Sequence, residues 1–247
     1  MTSQISTPTN ALSQKTSPIH LLSGGAAQGL VTQLKNRFQT EHACSLTGTY
    51  GAVGMMKDSL LSGTPCDVLI LTKALIAQLV ASGHLVPGSE KVVGIVMTGI
   101  ATKTGDKAPD ASSPAALKAT LQTASGIYFP DPVKATAGIH FMNVLKQLGL
   151  HAELANRLRP FPNGAAAMKA MAQTNESGMV GCTQITEILY IDGVTLISPL
   201  PKEFELATIY TAARCTGSTQ PEAARALIDL LVSADTAALR LACGFEP

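Results

Sequence analysis

Tryptophan is absent from this chain, and aromatic residues make up only 4% of its 247 residues. Stacking platforms for nucleic-acid bases are therefore poorly supplied. Neither sign of charge is in excess, with Lys plus Arg at 18 against Asp plus Glu at 17, so no global field draws the chain to nucleic acid or to an anionic membrane. Neither is expected as a partner. Cys44, Cys66, Cys182, Cys215 and Cys243 form no Cys-x-x-Cys pair and no metal-like spacing with the scattered histidines. They read as reduced, mostly buried small hydrophobes, and no metal or cofactor is expected. Long apolar runs are missing too: Cys66–Leu71 and Val92–Met97 suit strands and are too short to span a bilayer. Residues 1–18, MTSQISTPTNALSQKTSP, lack the apolar stretch of a secretory signal. They read as a disordered tail, which predicts a soluble, cytoplasmic protein.

Two nucleotide-binding fingerprints are also missing. The run Ile19-His-Leu-Leu-Ser-Gly-Gly-Ala-Ala-Gln-Gly-Leu30 reads as a buried strand, a glycine-rich turn and the start of a helix, with Leu30, Val31, Leu34 and Phe38 at helical spacing. Ala26 stands where the middle glycine of G-x-G-x-x-G belongs, and no Gly-Lys-Ser or Gly-Lys-Thr follows. Gly24 and Gly25 still let the backbone come close to whatever sits at the strand's end. Unpaired N–H groups at a helix start favour a small anion there; the alternative is that the glycines serve close packing alone.

The length allows one large domain or two lobes. Strand and helix alternate through the first hundred residues or so: Cys44–Leu46, a helix near Val53–Leu61, the strand Cys66–Leu71, a helix Lys73–Ser82 and the strand Lys91–Met97. That order predicts parallel βαβ units. Glycine, lysine, aspartate and serine then replace apolar runs over Thr98–Pro114, which reads as a connection between lobes. Ser113-Pro114 predicts an N-cap and first helical position, opening a helix to about Gln122. A strand Gly126–Phe129, helices near 137–148, 152–158 and 164–174, a strand Gly178–Gly181, a helix Thr183–Tyr190 and a strand Val194–Ile197 follow. Glu205–Ala213 reads as a strand returning to the first lobe, and Gln220–Val232 and Thr236–Ala242 as helices. The expected organisation is a tail of residues 1–18, a first lobe of 19–98 plus 207–247, and an inserted second lobe of 99–206. The cleft between two α/β lobes is the natural ligand site.

Four features in this order carry a resemblance: the strand, small-residue turn and helix ending in Phe38; Gly63-Thr-Pro-Cys-Asp67 before a buried strand; Ala135-Thr-Ala-Gly138 opening a helix that ends Leu148-Gly149; and Cys243-Gly-Phe245. Over residues 19–246 the chain resembles the molybdate-binding (ModA-like) family of type II periplasmic binding proteins. The resemblance implies a two-lobed α/β fold that holds a tetrahedral oxyanion in its cleft by serine hydroxyls, backbone N–H groups and a tyrosine. At the matching positions this chain carries Ala26, Ala52-Val53-Gly54 and Gly181-Cys182. Three side-chain donors are displaced or missing, which argues against molybdate, since each charge-assisted hydrogen bond contributes roughly 1.5–3 kcal/mol. The backbone cradles Gly24-Gly25-Ala26, Gly51–Gly54 and Ala135–Gly138, Ala137 included, remain suited to a planar carboxylate.

Relatives of this family include an aconitate isomerase, so the resemblance also implies a double-bond shift by proton transfer beside carboxylates. Ser23, Thr49, Tyr50, Thr136, Asn163, Thr183 and Gln184 lie near loop-to-helix junctions and are the expected side-chain donors. Lys134, His140, Tyr50 and Asp131 are the expected proton carriers or counter-charges. Three of them have a plainer alternative: a solvated loop lysine, a packed or exposed histidine, a turn aspartate between prolines. Asp67, before a buried strand, reads as structural. The leading expectation is an isomerase acting on a small carboxylate. The alternatives are a non-catalytic binder of molybdate or another oxyanion, and an intracellular anion sensor.

Overall fold

Strand β1 (Ile19–Gly24) is buried along nearly its whole length, and a single 3-10 turn, Gly25–Ala27, joins it to helix α1 (Gln28–His42). The expected apolar face of α1, Leu30, Val31, Leu34 and Phe38, is the face it buries. The computed structural model describes residues 17–247, so the tail expected over 1–18 falls outside the described residues except for its last two.

On either side of β1 lie parallel partners, β2 (Leu46–Gly51) and β3 (Val68–Thr72), with helix α2 (Val53–Leu61) between them in sequence and α3 (Lys73–Ala81) after β3. Strand β4 (Lys91–Lys103), helix α4 (Pro114–Thr123), β5 (Gly126–Pro130), α5 (Thr136–Gln147), β6 (Leu158–Phe161), α6 (Gly164–Gln173), β7 (Met179–Gln184), α7 (Ile185–Tyr190) and β8 (Val194–Pro199) follow. The return strand β9 (Ala207–Arg214) and helices α8 (Pro221–Val232) and α9 (Ala237–Ala242) close the chain. The strand order is β2-β1-β3-β9-β4-β7-β5-β6, with β8 also paired to β4. Ser113 caps α4 as expected, its hydroxyl accepting from the Ala116 N–H at 3.2 Å.

The largest departure from the sequence reading is β4, which runs 13 residues instead of stopping at Met97. Lys91–Met97 pairs antiparallel with β9, and from Thr98 the same strand pairs with β7 on one side and β8 on the other. The residues taken for a connection, Thr98, Ile100, Ala101 and Thr102, are buried because two neighbouring strands cover them. A second departure is the helix expected near 152–158: a 3-10 turn, Ala155–Arg157, leads there into β6. Pro160 cannot donate to a helix or a central ladder, and β6 sits at the sheet edge, where proline is tolerated.

Two main cores result. Residues before Met97 and after Thr208 pack around Phe38, Leu69, Ile70, Tyr210 and Phe245. A second core gathers Leu121, Phe129, Phe141, Leu145 and Cys182, with a smaller one around Met168, Met171 and Ile188. All five cysteines are buried and free, in line with the reading of them as small hydrophobes.

Candidate functional site

The carboxyl ends of β1, β2, β5 and β7 converge between the two halves, the crevice where open α/β sheets take ligands. Their ends are Gly24, Gly51, Pro130 and Gln184, and the residues that follow start α1, α2, α5 and α7. A cavity of about 20 Å³ lies at this junction. Gly25 and Ala26 line it from the first turn, Ala52 and Val53 from the start of α2, Thr136 and Ala137 from α5, and Asn163 and Gly164 from α6. Gln184, Glu187 and Tyr210 complete the wall.

Helices α2 and α5 begin without a side-chain cap, because their N-cap residues are Ala52 and Ala135. An uncapped start leaves backbone N–H groups for an anion, supported by the positive end of the helix dipole. Helix α6 differs: the Asn163 side-chain Oδ1 accepts from the Ala166 N–H at 2.8 Å. The halves are drawn together around the cavity, with the Gly54 N–H donating to the Lys134 carbonyl at 3.1 Å.

Glu187 is the electrostatic centre of this wall. It is only 5% exposed, and Thr183 donates to its Oε2 at 2.6 Å. Backbone N–H groups of Ala165, Gly164 and Gln184 also favour its ionised form. Burial nevertheless dominates and raises its pKa above the usual carboxylate range. The Tyr210 phenol is pushed up by burial and then by the nearby Glu187. Gln184 is 2% exposed; its amide N–H₂ donates weakly to Thr208 Oγ1 at 3.4 Å, and its Oε1 is buried with no hydrogen-bond partner.

Of the residues expected from sequence, Gly25, Ala26, Thr136, Ala137, Asn163 and Gln184 are brought together around the cavity. Gly24 lies just behind, where an added Cβ would meet Val53 Cγ1 at 2.9 Å and Tyr210 Cε1 at 3.1 Å. Thr183 reaches the site only through Glu187. Ser23 is fully buried and donates to the Gly24 carbonyl at 2.8 Å, away from the cavity wall. Thr49 is exposed on β2, and Tyr50 is half-buried beside it, its phenol pushed up to about 12 by burial and by Tyr190.

Three of the four proton carriers expected from sequence, Lys134, His140 and Asp131, make contacts outside the cavity wall. Lys134 pairs with Asp58 at 2.9 Å in a neighbouring groove and holds that carboxyl below the usual range. His140 Nε2 lies 2.7 Å from the Phe204 carbonyl, so Nε2 carries a proton. Asp131 Oδ1 accepts from the Val133 and Lys134 N–H groups, as a turn aspartate does. Sequence reading missed Glu187 and Tyr210. The available signal was an acid three residues after Gln184, the capping-box position, set between the apolar Ile185 and Ile188.

A sequence model of the bacterial extracellular solute-binding protein family matches residues 19–246. The chain belongs to that family. It is 27% identical over 253 residues to an aconitate isomerase from a Pseudomonas species, covering 98% of this chain and 92% of that one. The fold is similar to the periplasmic molybdate-binding protein of Azotobacter vinelandii, with a TM-score of 0.79 at 16% identity, covering 93% of this chain and 99% of that one. It is also similar to the sulfate-binding protein of Mycobacterium tuberculosis, with a TM-score of 0.73 at 14% identity over 94% of this chain and 87% of that one. The two-lobed type II fold expected from the ModA-like resemblance is therefore the fold present.

Membership of this family corrects one expectation. A cytoplasmic location conflicts with a family of extracellular solute-binding proteins and with periplasmic neighbours. The expectation rested on the composition of residues 1–18, whereas the family model matches the remainder of the chain, residues 19–246. The intracellular sensor reading falls with it. Among the described residues, no helix is long and apolar enough to cross a membrane, and no cluster of His, Cys, Asp and Glu could hold a metal ion.

Proposed function

We propose that this protein closes its lobes on a small polycarboxylate and moves its double bond by proton transfer, interconverting cis- and trans-aconitate. The near full-length likeness to the Pseudomonas aconitate isomerase carries this reading. The cavity chemistry supports it. Ala26, Ala52 and Val53 line the wall where hydroxyl donors would read a tetrahedral oxyanion, while helix starts and the side chains of Thr136, Asn163 and Gln184 suit carboxylate oxygens. Gly25, Ala26 and Ala137 contribute backbone to that cradle.

A cavity of about 20 Å³ holds little more than one water-sized sphere. Binding of a polycarboxylate therefore requires the lobes to part and close again. We place the lobes at residues 19–98 plus 207–247 and 99–206, with the hinge where β4 and β9 pass between them. Thr98 sits at that crossing: its N–H donates to the Leu206 carbonyl at 3.2 Å and its carbonyl accepts from Leu200 at 2.9 Å.

The second reading, a non-catalytic binder of molybdate or another small oxyanion, is favoured by the family itself. One experiment separates the two. Purified protein incubated with trans-aconitate is expected to form cis-aconitate, followed by proton NMR, and aconitate is expected to raise the melting temperature more than molybdate, tungstate or sulfate. Binding of aconitate with an unchanged cis/trans ratio over hours eliminates the isomerase and leaves the binder.

Lys134→Ala tests whether Lys134 acts on substrate or bridges the lobes. The Lys134–Asp58 pair is about half exposed, so its loss is expected to leave the unfolding midpoint nearly unchanged and to weaken aconitate binding by less than about tenfold. Abolished turnover with intact binding would instead make Lys134 a participant in the chemistry.

A further inference from the structure

We infer that Glu187 is the catalytic proton carrier of this cleft, its carboxylate taking the methylene proton of the bound tricarboxylate and returning it at the former vinylic carbon. The inference rests on the isomerase reading and supplies the group that reading lacks. Glu187 is the one carboxylate that lines the cavity among the described residues, and no Lys, Arg or His shares the wall with it.

Geometry gives the two carboxylate oxygens different surroundings. Oε2 is anchored within the second lobe: Thr183 of β7 donates to it, and a Cβ at Gly164 would overlap it. Oε1 faces the opposite lobe, where a Cβ at Gly25 would overlap it. Both glycines thus leave room that this carboxylate fills. Oε1 therefore lies on the side of the carboxylate that faces the cleft.

The step balances without a co-reactant. The methylene C–H bond breaks and its proton goes to Glu187; the electron pair delocalises through the allylic unit onto the adjacent carboxylate. A new double bond then joins the former methylene carbon to the central carbon. Glu187 gives the proton to the former vinylic carbon, a new C–H bond forms there, and the carboxylate is restored. Donors at the helix starts stabilise the charge that spreads onto the substrate's carboxylate. Glu187 suits a shuttle that must both accept and return a proton: the Thr183 hydroxyl and the Gly164, Ala165 and Gln184 N–H groups favour its ionised form, and burial opposes it. Tyr210 of β9 is its titratable neighbour, a phenol pushed up by burial and then by Glu187.

Glu187→Gln keeps the side chain's size and removes its basicity. We expect it to remain folded by circular dichroism, to retain an aconitate-induced thermal shift, and to lose about 10²–10⁴-fold in kcat. Wild-type enzyme given aconitate deuterated at its methylene is expected to carry the label to the new methylene carbon, and the variant is not. The wild-type rate should rise with pH through a limb above the ordinary carboxylate range, since the base must be ionised, and Thr183→Val should move that limb upward. A Glu187→Gln enzyme within tenfold of wild-type kcat, or a wild-type profile flat across that range, overturns the assignment alone. A wild type that binds aconitate and never isomerises it overturns the isomerase reading and this inference with it.

Discussion

Asp67→Ala is expected to lower stability by about 3–5 kcal/mol, because a buried carboxylate that satisfies several donors leaves them all unpaired when removed. Asp67 is 2% exposed and stands just ahead of β3. Its Oδ2 accepts from the His20 N–H at 2.8 Å; its Oδ1 accepts from the Ser218 hydroxyl at 2.8 Å and from the Thr219 and Gln220 N–H groups at 3.0 and 3.3 Å. The residue's own backbone continues the junction, its N–H donating to the His20 carbonyl at 2.7 Å and its carbonyl accepting from Cys215 at 2.9 Å. One side chain thereby ties β1 and β3 to the loop that leads from β9 into α8. Urea unfolding of the two proteins measures the difference, with Asp67→Asn as the milder comparison because it keeps one acceptor oxygen. A loss below about 1 kcal/mol would mean that water satisfies these donors and the junction is not held by Asp67.

Gly164→Ala should have the largest effect on ligand handling of any small substitution in the cleft. A Cβ there would overlap both Glu187 Oε2 and Thr183 Oγ1. Neither atom can retreat easily, since both residues are buried and hydrogen-bonded to each other. Alanine would therefore push Glu187 out of its place or lift the start of α6, costing about 1–3 kcal/mol of stability as overpacking does. Aconitate turnover is expected to fall at least about 100-fold, the low end of what a positioned proton carrier contributes. Gly217→Ala is the control, because nothing lies within 4 Å of the added methyl. Unchanged turnover and melting temperature in Gly164→Ala would show that the closed cavity does not represent the working site.

Much of this molecule is legible in one dimension. The helical spacing of Leu30, Val31, Leu34 and Phe38 determined the buried face of α1, and Ser113-Pro114 and Asn163-Gly164 determined where α4 and α6 begin. Such signals are local: a cap or an apolar stripe acts within a turn or two of its own position. The small residues Gly25, Ala26 and Ala137 marked backbone that a ligand can approach, and each lines the cavity. The same local reasoning failed at β4, where Thr98–Lys103 open the polar stretch 98–114 in sequence but lie between β7 and β8. Nor does local sequence show the partners of His140 and Lys134, Phe204 and Asp58, which are 64 and 76 residues away.

The opening turn and its helix were determined by the sequence itself, because glycine conformational freedom and helical periodicity are properties of adjacent residues. Which charged group faces that turn was decided only by the tertiary structure. Gly25, Gly164, Glu187 and Tyr210 come from four separate segments, and Glu187 looks in sequence like a first-turn acid on a short helix. Closing one lobe on the other removes water from its carboxylate and aims one oxygen at Gly25. Burial outweighs the hydrogen bonds from Thr183 and the start of α6 and raises the pKa of an otherwise ordinary glutamate.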